Sequence, residues 1–247
     1  VQVSAAAAGD GPAAYGITEY IGSWEAAREA QEPKFQQAVQ DAFMAMRAKG
    51  YSSGLNDAQK ALMIHDWLIT RSEYDYDNFK KGSMPLTDFL AYGPLVNGKA
   101  VCAGYASAYC LLMNAAGIPT VIVSSSSHAW NLVHIGGKWY HVDVTWDDPY
   151  VEGAGSYRST GYLTHRYFLV SDSTVKSIGK DDHSSWELTG PDSGKLPAAN
   201  SDAPFSEQIA RHETNRPYGL LSVLADVLPA DAASVRLDTS RYSGQYY

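Results

Sequence analysis

Three features of the sequence predict an α+β domain. Helical signals, interrupted by a turn-rich stretch over Tyr74–Lys99, mark the chain from Ser23 to about Ala116. The nearly all-apolar segment from Cys102 to Ala116 reads as a buried central helix. After Gly117 come β-branched and alternating segments around a Gly136-Gly137 pair. Helices first and strands after is the order of an α+β domain.

Taken in order, residues 1–22 are rich in Ala and Gly, lack a strong period, and read as an N-terminal arm. Ser23 to Lys49 is helical in pattern. Pro33 is expected to divide it, because proline suits a first helical position and not an interior one. Asn56 caps a second helix over about Asp57 to Ser72, with Ala61, Leu62, Ile64, Leu68 and Ile69 at helical spacing. Turn signals run from Tyr74 to Lys99, with a short apolar piece at Leu86–Tyr92. Strands are expected at Ile118–Ser124, His128–Ile135, Lys138–Trp146 and Tyr167–Ser171. Gly136-Gly137 is the two-residue hairpin signal between the middle pair. From about Pro191 polar and small residues dominate, apart from an apolar stretch at Tyr218–Leu228.

The chain has 247 residues, room for one large domain or two small ones. With 45% apolar and 19% charged residues it is globular in composition. The net charge of −8 and the lack of a Lys/Arg cluster argue against nucleic acid as a partner. Two cysteines are too few for a disulfide framework or a four-Cys zinc site. No segment approaches the roughly 18–20 apolar residues of a membrane span. No basic segment followed by an apolar stretch opens the chain at Val1. That start fits a mature secreted protein as well as an arbitrary boundary.

The hairpin carries a geometric deduction. If Gly136 and Gly137 are the turn, Ile135 faces Lys138, His128 falls opposite Thr145, and Trp130 falls opposite Asp143. Residues two apart on a strand share a face. His128 and Asp143 then lie on one face as diagonal neighbours, about 7–8 Å apart at the backbone. A carboxylate on one imidazole nitrogen fixes the tautomer and leaves the other nitrogen for a third group. Cys102, at the start of the apolar helix, is that group. A thiol at a helix N-terminus beside a protonated imidazole ionises at about pH 3.5–7.5 rather than about 8.5. Unpartnered N–H groups of the first turn could also hold an oxyanion. Nucleophile, base and orienter thus stand in the order Cys102, His128, Asp143.

Three segments carry a resemblance. They are Gly98-Lys-Ala-Val-Cys-Ala-Gly-Tyr-Ala, His128-Ala-Trp-Asn-Leu-Val, and Gly137-Lys-Trp-Tyr-His-Val-Asp-Val-Thr-Trp-Asp-Asp-Pro149. Together they resemble the core of the transglutaminase-like superfamily, in the form of bacterial members described as cysteine proteases. The resemblance spans about Ile64 to Ser171, including His65-Asp-Trp-Leu and Tyr167-Phe-Leu-Val-Ser-Asp. It implies a papain-like α+β fold with the nucleophile helix packed on an antiparallel sheet. It implies Cys102 as nucleophile, His128 as general base and acid, and Asp143 as orienter, in acyl transfer through a thioester. A catalytic domain over 23–190 follows, with a C-terminal extension over 191–247. The expected substrate is a protein or peptide, including one at a cell surface, and the family's habit points to a secreted enzyme. Hydrolysis is favoured over cross-linking to an amine. No cofactor and no metal are carried over.

Bland roles are set beside these. Family members with cross-linking activity use an upstream Trp as an oxyanion donor; Trp67 lies upstream, but inside a predicted helix, where core packing is favoured. Cys110 reads as core. His134 and His141 share the hairpin face of His128 and read as structural rather than zinc-binding, and His65 and His183 as capping or core. Trp130 packs the core or shields the triad. Asp147-Asp148-Pro149 reads as a turn or cap rather than a metal site. A rival of another class is a scaffold that kept the fold without the activity. Either terminal segment could also lie across the site as a flap.

Overall fold

A computed structural model describes residues 18–188, 198–203, 217–222 and 224, with the backbone alone for 18–32, 180, 181 and 188. The predicted arm therefore lies outside the described residues up to residue 17, as does most of the C-terminal extension. Neither flap is visible within them.

Helix α1 runs over Thr18–Arg47 with Pro33 inside it. The proline does not divide the helix as expected. It removes one intrahelical bond, while Phe35, Val39, Phe43 and Met46 just beyond it are held in the core. Helix α2, Asp57–Arg71, starts where the capping pattern places it. The Asn56 side chain accepts from Gln59 N and the Gln59 side chain accepts from Asn56 N. Strands β1 (Glu73–Tyr74) and β2 (Lys99–Ala100) pair in parallel. Between them lie helix α3 (Tyr76–Lys81) and two short helical turns, Leu86–Phe89 and Gly93–Asn97.

Helix α4 covers Cys102–Ala115 and is buried along most of its length. It packs on α2 on one side and on the sheet on the other. The sheet is antiparallel, in the order β6-β5-β4-β3-β7. Its strands are β3 (Thr120–Ser124), β4 (Ala129–Ile135), β5 (Lys138–Val142), β6 (Phe168–Val170) and β7 (Glu187–Leu188). Helices α5 (Tyr157–Thr160) and α6 (Asp172–Ile178) flank β6 in the chain. The α+β prediction therefore holds.

The hairpin register is the predicted one: Ile135 pairs with Lys138 and Asn131 with Val142. Both turn glycines have positive φ, 59° and 79°, as a two-residue turn of this twist requires. The faces separate as the pleat dictates. Ile122, Val133, Ile135, Tyr140 and Val142 join the main core with α4. Val121, Val123, Trp130 and Leu132 form a second cluster closed by Ala199.

The strand predicted over Lys138–Trp146 ends at Val142. Asp143 Oδ1 accepts from Thr145 N at 3.0 Å and Trp146 N at 3.1 Å. This side-chain-to-backbone turn competes with the ladder and turns the chain out of the sheet. The described parts of the C-terminal extension are built into the domain. Ser171 N donates to Asp202 Oδ1 at 2.6 Å, and Leu220 and Leu224 are fully buried.

Candidate active site

Cys102 is the first residue of α4, and it is partly exposed. Val101 before it is extended (φ −101°, ψ 179°) and has no side chain that can accept from the first-turn amides. Its own N–H donates to Asp88 O at 3.0 Å, which fixes the entry to the helix. Gly104 lets that approach occur: a Cβ there would stand 2.2 Å from Asp88 O.

His128 stands one residue before β4 and is 7% exposed. Its Nε2 lies 2.6 Å from Asp143 Oδ2. That leaves Nδ1 as the nitrogen open to a third group, and the Cys102 thiol lies near enough to the ring to favour its protonated form. Cys102, His128 and Asp143 are thus brought together from a helix start, a strand start and a strand end. Burial alone would discharge the imidazole. The carboxylate of Asp143, with a smaller part from Cys102, outweighs it and pushes the His128 pKa up to about 10. Burial would likewise raise the Asp143 carboxyl. The His128 charge, and hydrogen bonds from His128 and His183, hold it well below the usual carboxylate range instead.

Trp130 stacks on His128 at 5.6 Å and 17°, so it both packs the second core cluster and covers the ring. Trp146 meets the same ring edge-on at 6.2 Å. On the thiol side, burial above all, and then the nearness of Cys102 and Asp182, push the Tyr74 phenol up.

His183 escaped the sequence reading, which saw only a core or capping residue. It is fully buried, and its Nε2 lies 2.8 Å from the same Asp143 Oδ2. No local pattern signals it, since forty residues of chain separate it from Asp143. His65, also read as capping or core, is buried in a polar chain with Asp66, His165 and Asp147. His65 Nδ1 lies 2.8 Å from Asp66 Oδ1, its Nε2 3.2 Å from Asp147 Oδ2, and His165 Nε2 2.8 Å from Asp66 Oδ1.

The remaining candidates take structural places. Asp147 accepts from Thr164 Oγ1 at 2.6 Å, and Asp148 from the Tyr105 hydroxyl and Tyr157 N, each at 2.8 Å. His141 bridges Trp130 Nε1 (2.9 Å) and Asp172 Oδ1 (2.8 Å). His134 packs on the Trp139 ring. Cys110 is buried, with its Sγ 3.2 Å from Thr120 O. Trp67 belongs to the core. It also lines a groove of about 590 Å³ with Lys34, Asp41, Arg71 and Leu95, which none of the three site residues touches. Among the described residues, two groups bring metal-ligand types together: His65, Asp66 and His165, and His128, Asp143 and His183. In both, direct hydrogen bonds already pair these atoms.

The chain is similar to several known proteins. The profile of the transglutaminase-like superfamily matches residues 45–144, a span that includes Cys102, His128 and Asp143. Kyphoscoliosis peptidase of Mus musculus is 26% identical over 160 residues, covering 55% of this chain and 22% of that protein. The Homo sapiens protein of the same name is 26% identical over 159 residues, with the same coverage. The matched segment is thus about a fifth of each relative's length. A solved structure described as a TGase is 18% identical, with a TM-score of 0.38 over 44% of this chain and 31% of its own.

Proposed function

From a chain whose residues 45–144 carry the core of the transglutaminase-like superfamily, we propose a cysteine-dependent acyl-transfer enzyme acting on amide bonds, with hydrolysis as its main outcome. The observation that carries it is the imidazole of His128, held by Asp143 at 2.6 Å on Nε2 with Cys102 beside the ring.

With its proton already passed to His128, the Cys102 sulfur attacks the amide carbon. The negative oxygen of the tetrahedral adduct is stabilised by the first-turn N–H groups of α4. The C–N bond breaks, His128 returns the proton to the departing amine, and a thioester remains. Water, deprotonated by His128, attacks the thioester. The acid leaves and the thiol is restored. Asp143 stays ionised and holds the ring in one orientation. An amine in place of water would give cross-linking by the same steps. The peptidase names of the related proteins favour water.

The test is the rate of thiol alkylation by iodoacetamide against pH, with Cys102 and Cys110 read separately by peptide mass. Fast reaction of Cys102 well below pH 8, lost in His128→Ala, is the expected result. An ordinary thiol profile at Cys102 would remove the enzyme reading and leave a scaffold. Amine incorporation against water turnover on one glutamine peptide then separates cross-linking from hydrolysis.

A further inference from the structure

We propose that His183 is a positioning residue for the reaction: it shares the Asp143 carboxylate oxygen with His128, holding that oxygen in place and tempering its pull on His128. The proposal rests on the catalytic reading above.

Four donors converge on Asp143. Oδ1 accepts two backbone N–H groups, from Thr145 and Trp146. Oδ2 accepts both imidazoles, His128 Nε2 at 2.6 Å and His183 Nε2 at 2.8 Å. A carboxylate with all its lone-pair directions engaged cannot swing, and hydrogen bonds to charged acceptors are the strong ones. Each donor also drains charge from the oxygen. The pull of Asp143 on the His128 proton is therefore weaker than that of a carboxylate serving one histidine.

The His183 ring is itself fixed. Its Nδ1 lies 3.2 Å from Gly179 O. The rings of Trp130, His128, Trp146 and Tyr167 surround it at 4.6, 5.1, 5.2 and 5.4 Å. The backbone of Gly179 passes so close that a Cβ there would stand 2.2 Å from the ring. The titratable groups facing this centre are Asp143, His128 and Tyr167. His141 lies nearby, and Arg166 and Asp182 lie near enough to act on Tyr167.

The test uses His183→Leu, which removes the donor, and His183→Gln, whose amide N–H can replace it. In the parent, Cys102 alkylation against pH has an upper step where His128 loses its proton. In His183→Leu that step moves to higher pH, because Asp143 now serves one imidazole. Turnover of a glutamine peptide falls about ten- to a hundredfold in kcat, the scale of one hydrogen bond to a charged group. His183→Gln restores most of both. A His183→Leu step that coincides with the parent's overturns the proposal, even if the rate falls, since packing alone lowers amplitude without moving the step. Imidazole ¹⁵N NMR of the unaltered protein gives a reading independent of folding: both His128 and His183 carry a proton on Nε2. A His183 bare at Nε2 overturns the proposal as well. Failure of the catalytic reading looks different, since Cys102 would then show no His128-dependent step in any variant.

Discussion

The three site residues differ in what removing each would do. Cys102 is partly exposed at a helix start, so Cys102→Ala should keep the fold and abolish turnover. Retained turnover with an unchanged melting curve would discard it as nucleophile. Asp143 accepts four hydrogen bonds. An asparagine there turns one acceptor into a donor facing an N–H, so the ring must change tautomer or move. In the serine-protease triad the equivalent change costs about 10⁴-fold in kcat. Asp143→Asn should lower kcat here by three or more orders of magnitude on that precedent, and a near-normal rate would mean another group orients His128. Cys110 is the internal control: it is buried, and burial pushes its thiol up. Native Cys110 should resist alkylation at any pH where Cys102 reacts.

Among the elements, two carry the geometry. The start of α4 is held against the Leu86–Phe89 turn by Val101 N to Asp88 O and by the bare Gly104. An alanine at 104 would gain about 1 kcal/mol of helix propensity. Its Cβ, 2.2 Å from Asp88 O and 2.9 Å from Ala100 Cβ, must push backbone aside. Overpacking of that kind costs about 1–3 kcal/mol, so the clash wins. Gly104→Ala should lower the urea midpoint and slow the enzyme together. The hairpin is the second element. One extra residue between Gly136 and Gly137 would break the pairing of Ile135 with Lys138 and turn one strand's faces over. His128 and Asp143 would then part, and Cys102 alkylation should revert to the profile of an ordinary thiol.

The whole molecule is tied together by a polar chain behind the site. His65 and Asp66 lie on α2, Asp147 follows the Asp143 turn, and His165 precedes β6. From the C-terminal extension, Tyr218 N donates to Asp66 Oδ2 at 2.6 Å. Burial opposes charge here, but the bonds to Asp147 and Asp66 prevail and push His65 up to about 9. Asp66 is likewise brought down to about 2, by His165 first among its partners and against its own burial. The signs follow from linkage. His65 binds its proton more tightly folded than unfolded. Its contribution is complete below its ordinary 6.5 and is lost as pH rises through about 9. Asp66 contributes above its ordinary 3.8, and that is lost as pH falls through about 2. The melting temperature should therefore decline between pH 7 and pH 9.5, and His65→Gln should flatten the decline while lowering the plateau. A parent curve level across that range would mean that His65 is neutral in the folded protein.

The segment that matches the transglutaminase-like profile was legible at short range. The Asn56 cap, the apolar run after Cys102 and the Gly136-Gly137 turn each act over a few residues. Hairpin register then fixes which side chains share a face, and so pairs His128 with Asp143. The same local logic misjudged Pro33, where packing of the following turns outweighs one lost hydrogen bond, and the end of β5, where the Asp143 side chain competes with the ladder. Pairings across the fold were out of its reach. His183 meets Asp143 across 40 residues, His65 meets Asp147 across 82, and His165 meets Asp66 across 99. No periodicity links such positions. A buried imidazole takes whichever carboxylate the packed elements bring to it, because leaving either unpaired away from water is costly. The sequence by itself determined the α+β order, the helix start at Cys102 and the hairpin that sets His128 against Asp143. Only the tertiary structure decided which second histidine Asp143 would hold, and which polar chain would anchor the loop that carries it.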